Sequence, residues 1–124
     1  MNLMKKLNML GLVLAVASAV LSPQLAQAHA SLKNSTPAAG STVSAPKDLS
    51  LTFNEKVEES FSAVTLKDAA GKDVATPKPH IDTADVTTLH VDLPTLTPGG
   101  YSVQWVAVGA DGHRRTGNFN FTVK

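Results

Sequence analysis

His29 and the triplet Asp111-Gly112-His113 are the residues of this chain whose types and spacing could do chemistry. If the chain is cut after Ala28, His29 carries a free α-amine beside its own imidazole. The amine nitrogen and the near ring nitrogen can then close a chelate ring on one metal ion. An α-amine has a reference pKa of about 7.7–8.0, so a metal displaces its proton near neutrality. In the triplet, residues i and i+2 of extended backbone project to the same side, and Gly112 permits a tight bend between them. One carboxylate and one imidazole then converge on a point. Each feature alone also has a plain reading: a frayed terminus with an incidental first residue, and a polar loop in which Asp-Gly is a common turn dipeptide. Together they offer an amine, two imidazoles and a carboxylate. That N₃O set suits tetragonal Cu(II) or Ni(II), and Cu(II) is the tightest divalent ion for it.

Other candidates are weaker. Glu55 ends the alternating run Leu49, Leu51, Phe53. It can accept a hydrogen bond from a metal-bound imidazole and so orient it, or it is a solvated acid beside Glu58 and Glu59. His80, in a loop between Pro79 and Ile81, and His90, facing outward with Thr88 and Asp92, read as surface residues. Tyr101 and Trp105 fit a core better than a stacking platform.

The elements that position these groups follow from pattern. Lys5-Lys6, an apolar run from Leu7 to Val20 and Ala26-Gln27-Ala28 make a basic segment, a hydrophobic segment and a cleavage site. That is a secretory signal peptide over residues 1–28. The run is shorter than the roughly 20 residues of a bilayer span. Cleavage leaves residues 29–124 as a single domain, with nine Lys/Arg against ten Asp/Glu. A near-neutral chain has no electrostatic footprint for nucleic acid. Met1, Met4 and Met9 leave with the leader and there is no cysteine, so the exported chain contains no sulfur. Disulfides, thiol catalysis, iron–sulfur clusters, cysteine zinc sites and thioether sites for Cu(I) are excluded.

Within the exported part, Leu89/Val91/Leu93, Tyr101/Val103/Trp105 and Phe119/Phe121/Val123 alternate with polar residues, and Pro, Gly and Asp punctuate the runs. Period two with such turns predicts half-buried strands. About seven short strands and no amphipathic helix imply an all-β fold: an antiparallel Greek-key β-sandwich or barrel, immunoglobulin-like. Thr76-Pro77-Lys78-Pro79-His80 is a surface connection, because two prolines would remove ladder donors from a central strand.

The start His29-Ala30-x-Leu32-x-x-Ser35-x-Pro37-Ala38-x-Gly40 resembles the opening of the CopC family of periplasmic copper-binding proteins. Leu51-x-Phe53-Asn54-Glu55 is similar to that family's next motif. Gly100-Tyr101-x-Val103-x-Trp105, Asp111-Gly112-His113 and Gly117-x-x-x-Phe121 are similar to its carboxy-terminal signature. The resemblance covers essentially the whole exported chain. It implies a Greek-key sandwich, export to the periplasm, and one Cu(II) per chain held by His29, Asp111 and His113. It also implies a glutamate at the place of Glu55 and an inner-membrane copper-import protein as partner.

Three departures stand out. The methionine-rich segment of some members is missing, Arg114 replaces a frequent proline, and Gly109 replaces a frequent serine with no evident consequence for the metal. The expectation is a monomeric, non-enzymatic periplasmic protein that sequesters or carries Cu(II) in copper homeostasis or resistance. The alternatives are a copper-dependent oxidative enzyme of the histidine-brace type and a metal-free immunoglobulin-like interaction domain.

Overall fold

The computed structural model describes residues 31–124. The leader and His29 lie outside the described residues.

Nine strands form two sheets among these residues. They are β1 (Leu32–Thr36), β2 (Thr42–Val43), β3 (Asp48–Phe53), β4 (Ala63–Asp68), β5 (Asp73–Val74), β6 (His80–Ile81), β7 (Thr88–Asp92), β8 (Gly99–Val108) and β9 (Arg114–Val123). One sheet has the order β1-β3-β7-β6 and the other β2-β9-β8-β4-β5. This is the immunoglobulin-like sandwich that the alternation predicts. There are more strands than the expected seven because β2, β5 and β6 are two residues each. A two-residue strand has no alternation to read.

The arrangement departs from a wholly antiparallel one at β2, which pairs parallel with β9 through Thr42 opposite Thr122 and Val43 opposite Val123. The cause is a change of sheet. After β1 pairs with β3, the chain turns at Gly40, whose φ of 76° suits glycine. The Gly40 N–H donates to the Asn120 carbonyl at 2.7 Å and docks the chain on β9 of the opposite sheet.

The inward faces meet in one core. Leu49, Leu51 and Phe53 of β3 and Leu89 and Val91 of β7 are buried against Leu66, Val103, Trp105, Ala107, Phe119, Phe121 and Val123. Trp105 meets Phe53 edge-to-face at 5.2 Å between ring centres, a favoured aromatic geometry. Its other side lies over Gly117, where a Cβ would collide with the indole. Tyr101 is buried on Phe121, and its hydroxyl donates to the Thr97 carbonyl at 2.7 Å. That bond closes the corner where the chain enters β8. Both aromatics are core residues, as expected.

Two expectations change. His80 is not in the loop: it opens the edge strand β6, directly opposite His90 on β7. Pro79 immediately precedes it, on a sheet edge where a missing N–H is tolerated. Thr88, expected to face outward, is buried. Its hydroxyl lies 2.9 Å from that of Thr52 across the sheet and 3.1 Å from the Asp85 carboxylate, so burial leaves it partnered.

Candidate metal centre

Strands β8 and β9 are ten residues each and pair continuously from Gly99 opposite Val123 to Val108 opposite Arg114. This long ladder carries the loop 109–113 to one end of the sandwich. The Gly112 N–H donates to the Gly109 carbonyl at 3.0 Å, and the Gly109 N–H donates to the His113 carbonyl at 3.1 Å. Gly112 has φ of 83°, a conformation that L side chains resist.

The bend brings Asp111 and His113 together. Asp111 Oδ1 accepts the His113 backbone N–H at 3.0 Å, and Oδ2 accepts the ring Nδ1–H at 2.8 Å. Both side chains are well exposed, at 45% and 61% of their surfaces. Two donors bonded at right angles to one ion at about 2.0–2.1 Å would stand about 2.9 Å apart. The carboxylate and the imidazole therefore already have the separation of neighbouring ligands.

A second segment closes on this loop. Beyond β3 the chain runs beside the end of β8: Val57 bridges Gly109, and the Glu58 N–H donates to the Val108 carbonyl at 2.8 Å. This lays Glu55 directly on Gly109. A Cβ on Gly109 would collide with Glu55 Oε1 and stand 3.1 Å from Asp111 Oδ1, so both carboxylates border one small space. Glu55 Oε1 is buried and has no hydrogen-bond partner among the described residues. An unpaired buried carboxylate oxygen is costly unless a cation or donor reaches it.

Asn54 ties down the start of the described chain. Its side-chain Oδ1 accepts the Ser31 N–H at 2.8 Å, and its own N–H donates to the Ser31 carbonyl at 3.1 Å. Ser31 is two residues beyond His29 and is anchored beside Glu55. The sequence shows Asn54 only as part of a motif and Gly109 only as a departure from a frequent serine, and assigns neither a role at the site. Gly109 does not have the positive φ of Gly112, so its backbone conformation is open to other residues.

His80 and His90 are not brought to this end. His90 lies opposite Ser50, midway along β3, whereas Glu55 lies beyond that strand. The His90 ring bridges Asp48 Oδ2 at 2.9 Å and Asp82 Oδ1 at 2.7 Å, and His80 stacks on it at 5.6 Å. Two carboxylates on its two ring nitrogens require both to carry protons, so His90 is held as an imidazolium. Partial burial opposes this charge, but the bonds and charges of Asp82 and Asp48 outweigh it and raise the His90 pKa. The Ala84 backbone N–H, then His90, hold Asp82 below its usual range. Among the described residues no group of three or more His, Cys, Asp or Glu is arranged to hold a metal ion. Asp111 and His113 face each other as a carboxylate–imidazole pair.

The fold and the site together define an immunoglobulin-like sandwich that presents a carboxylate–imidazole pair on the loop at one end. The CopC domain matches residues 32–124, and the chain belongs to the CopC family. It is 36% identical over 121 residues to copper resistance protein C of Escherichia coli, spanning 92% of this chain and 91% of that one. CopC from Methylosinus trichosporium OB3b superposes with a TM-score of 0.73 at 32% identity, over 77% of this chain and 94% of that chain. PcoC, a methionine-rich copper resistance protein from Escherichia coli, superposes with a TM-score of 0.72 at 35% identity, over 78% of this chain and 100% of that chain. The methionines of the present chain stand only at 1, 4 and 9.

Proposed function

We propose that this protein is a periplasmic Cu(II)-binding protein that sequesters or carries copper in homeostasis or resistance. It holds one Cu(II) per chain through His29, Asp111 and His113. The observation that carries this proposal is the Asp111–His113 pair at 2.8 Å, with a buried Glu55 oxygen near Asp111 that has no hydrogen-bond partner among the described residues. A carboxylate–imidazole pair with a second carboxylate bordering Asp111 invites a cation, and nitrogen with oxygen donors suits Cu(II). Homologues named for copper resistance support the choice of metal.

The further donor in this reading is His29. Ser31 is pinned next to Glu55, and two residues of chain span at most about 7 Å. A free amine and imidazole at His29 would complete the N₃O set. Glu55 acts beside the ligands, accepting a hydrogen bond and contributing charge. Copper is cargo here, so the chain's task is to bind and release it. The Asp111–His113 hydrogen bond keeps both groups at the exposed loop, where an ion can replace the shared proton and a partner can later remove the ion. That partner is an inner-membrane copper-import protein, and the carrier is a monomer.

Electron paramagnetic resonance of the mature chain, starting at His29 and given one equivalent of Cu(II), tests this. One tetragonal signal with nitrogen couplings is expected. A spectrum identical to copper in buffer overturns the proposal and leaves a metal-free interaction domain. Peroxide-driven oxidation of a polysaccharide would instead favour an enzyme.

A further inference from the structure

We infer that the outer face of the four-stranded sheet carries a second site for a divalent late-transition ion, with His90, His80 and Asp82 as ligands and Asp48 as the residue that orients His90. It stands apart from the proposed Cu(II) centre at Asp111 and His113 and does not depend on it.

Strand pairing puts these groups on one surface. His80 on β6 is directly opposite His90 on β7, and the next pair, Ile81 opposite Leu89, turns toward the core. Residues directly opposite in an antiparallel pair share a face with Cβ atoms about 4.5–5.5 Å apart, so two imidazoles there can reach one ion. On the other side of β7, Ser50 of β3 is opposite His90 and Asp48 is opposite Asp92, which makes Asp48 the diagonal neighbour of His90. Asp82 follows His80 by two residues and meets the same ring. All four border one surface hollow.

The two acids hold different places. Asp82 Oδ2 accepts the backbone N–H groups of Ala84 and Asp85, both at 2.9 Å, which fixes the carboxylate with Oδ1 turned to His90 Nε2 at 2.7 Å. That gap is close to the roughly 2.9 Å between neighbouring ligands of one ion. Across the ring, Asp48 Oδ2 accepts from Nδ1 at 2.9 Å. A carboxylate on one ring nitrogen, with the other nitrogen turned to the ion, is the usual support of a metal-bound histidine. Without an ion, a proton fills the gap between Nε2 and Asp82, and the two rings stack rather than point at one place. An ion entering the gap releases that proton to water, and the exposed His80 turns from the stack to add the third donor. Two imidazoles and a carboxylate suit Cu(II), and Zn(II) less tightly. The set has no α-amine chelate, so the loop centre fills at one equivalent of Cu(II) and this site takes the next. The chain then holds a second copper ion when copper is abundant.

The test is a titration of the mature protein with Cu(II) alone, read by electron paramagnetic resonance and chelator competition. A second tetragonal signal with nitrogen couplings should grow between one and two equivalents. His80→Ala and Asp82→Asn should each weaken this second ion by at least about tenfold and leave the first unchanged. Asp48→Asn should weaken it about 10–100-fold, the usual effect of removing a group that orients a ligand. His113→Ala should do the reverse, losing the first signal and keeping the second. His80→Ala alters one exposed ring, so it decides the matter if another variant fails to fold. A second equivalent that binds His80→Ala as tightly as wild type, or shows only the spectrum of copper in buffer, overturns the inference while the loop centre stands. A wild-type protein that binds one ion, lost in His80→Ala and kept in His113→Ala, overturns the loop centre and supports the inference.

Discussion

Asp111 grips His113 twice, through its backbone N–H at 3.0 Å and its ring Nδ1 at 2.8 Å. The carboxylate thereby sets the rotation of the imidazole before any ion arrives. Only Gly112 separates the two, so one left-handed residue brings the side chains together. A carboxylate and an imidazole held this way would lose little side-chain entropy on taking up the proposed ion, because much of the ordering has already occurred.

Ligands and bystander histidines should separate cleanly. His113→Ala removes a nitrogen donor from the pair and should weaken Cu(II) binding by at least about tenfold. Asp111→Ala should change the spectrum even where copper remains bound. His90→Ala should leave the copper spectrum as it is, because His90 is occupied by Asp48 and Asp82 away from the loop. Matching losses from His90→Ala and His113→Ala, read by copper competition, would place the site elsewhere.

The α-amine of His29 can be tested without touching a side chain. One glycine added before His29 turns that amine into a peptide nitrogen and breaks the chelate. A terminal addition disturbs little buried backbone, so the melting temperature should hold. Cu(II) affinity should drop sharply. In the native form it should also fall with pH, as protons compete for the amine and imidazoles. Equal affinity and spectrum in the extended protein would exclude the amine.

His90 predicts a pH dependence of stability. Its folded pKa is raised, so its contribution is complete below the unfolded value of about 6.5 and is lost as pH rises through the higher folded value. Asp82 has the opposite sign: its pKa is lowered, so its contribution is lost as pH falls below the ordinary 3.8 through the depressed value. His80 stacked on the ring, and Lys47 and Asp92 bordering the same surface hollow, complete the charged surroundings. His90→Ala should lower the melting temperature by a few degrees near pH 5.5 and by less near pH 9. An equal drop at both values would mean that packing, not charge, is what His90 supplies.

Tyr101→Phe removes the hydroxyl bonded to the Thr97 carbonyl and leaves the ring on Phe121. Loss of one such bond should destabilise by about 1 kcal/mol, or roughly 4–8 °C in melting temperature for a domain of this size. An unchanged thermal midpoint would show that water replaces the bond at the corner.

Local spacing settled much in the sequence alone. Alternation marked β3, β7, β8 and β9 and their buried faces, since a strand's side-chain period is two whatever it packs on. Asp111 and His113 converge through the bend at the glycine between them, and that spacing too is visible in the sequence. Only the tertiary structure decided the rest. Glu55 and Gly109 are 54 positions apart in the chain, and neither residue's neighbours announce that one will fill the space the other leaves. Their meeting depends on how the chain beyond β3 packs along the end of β8. The parallel pairing of β2, the place of His80 on an edge strand and the double bridge at His90 are likewise long-range. Each depends on which strands become neighbours, a choice made by burial of the whole core and by the backbone bonds that core allows, rather than by any short run of residues.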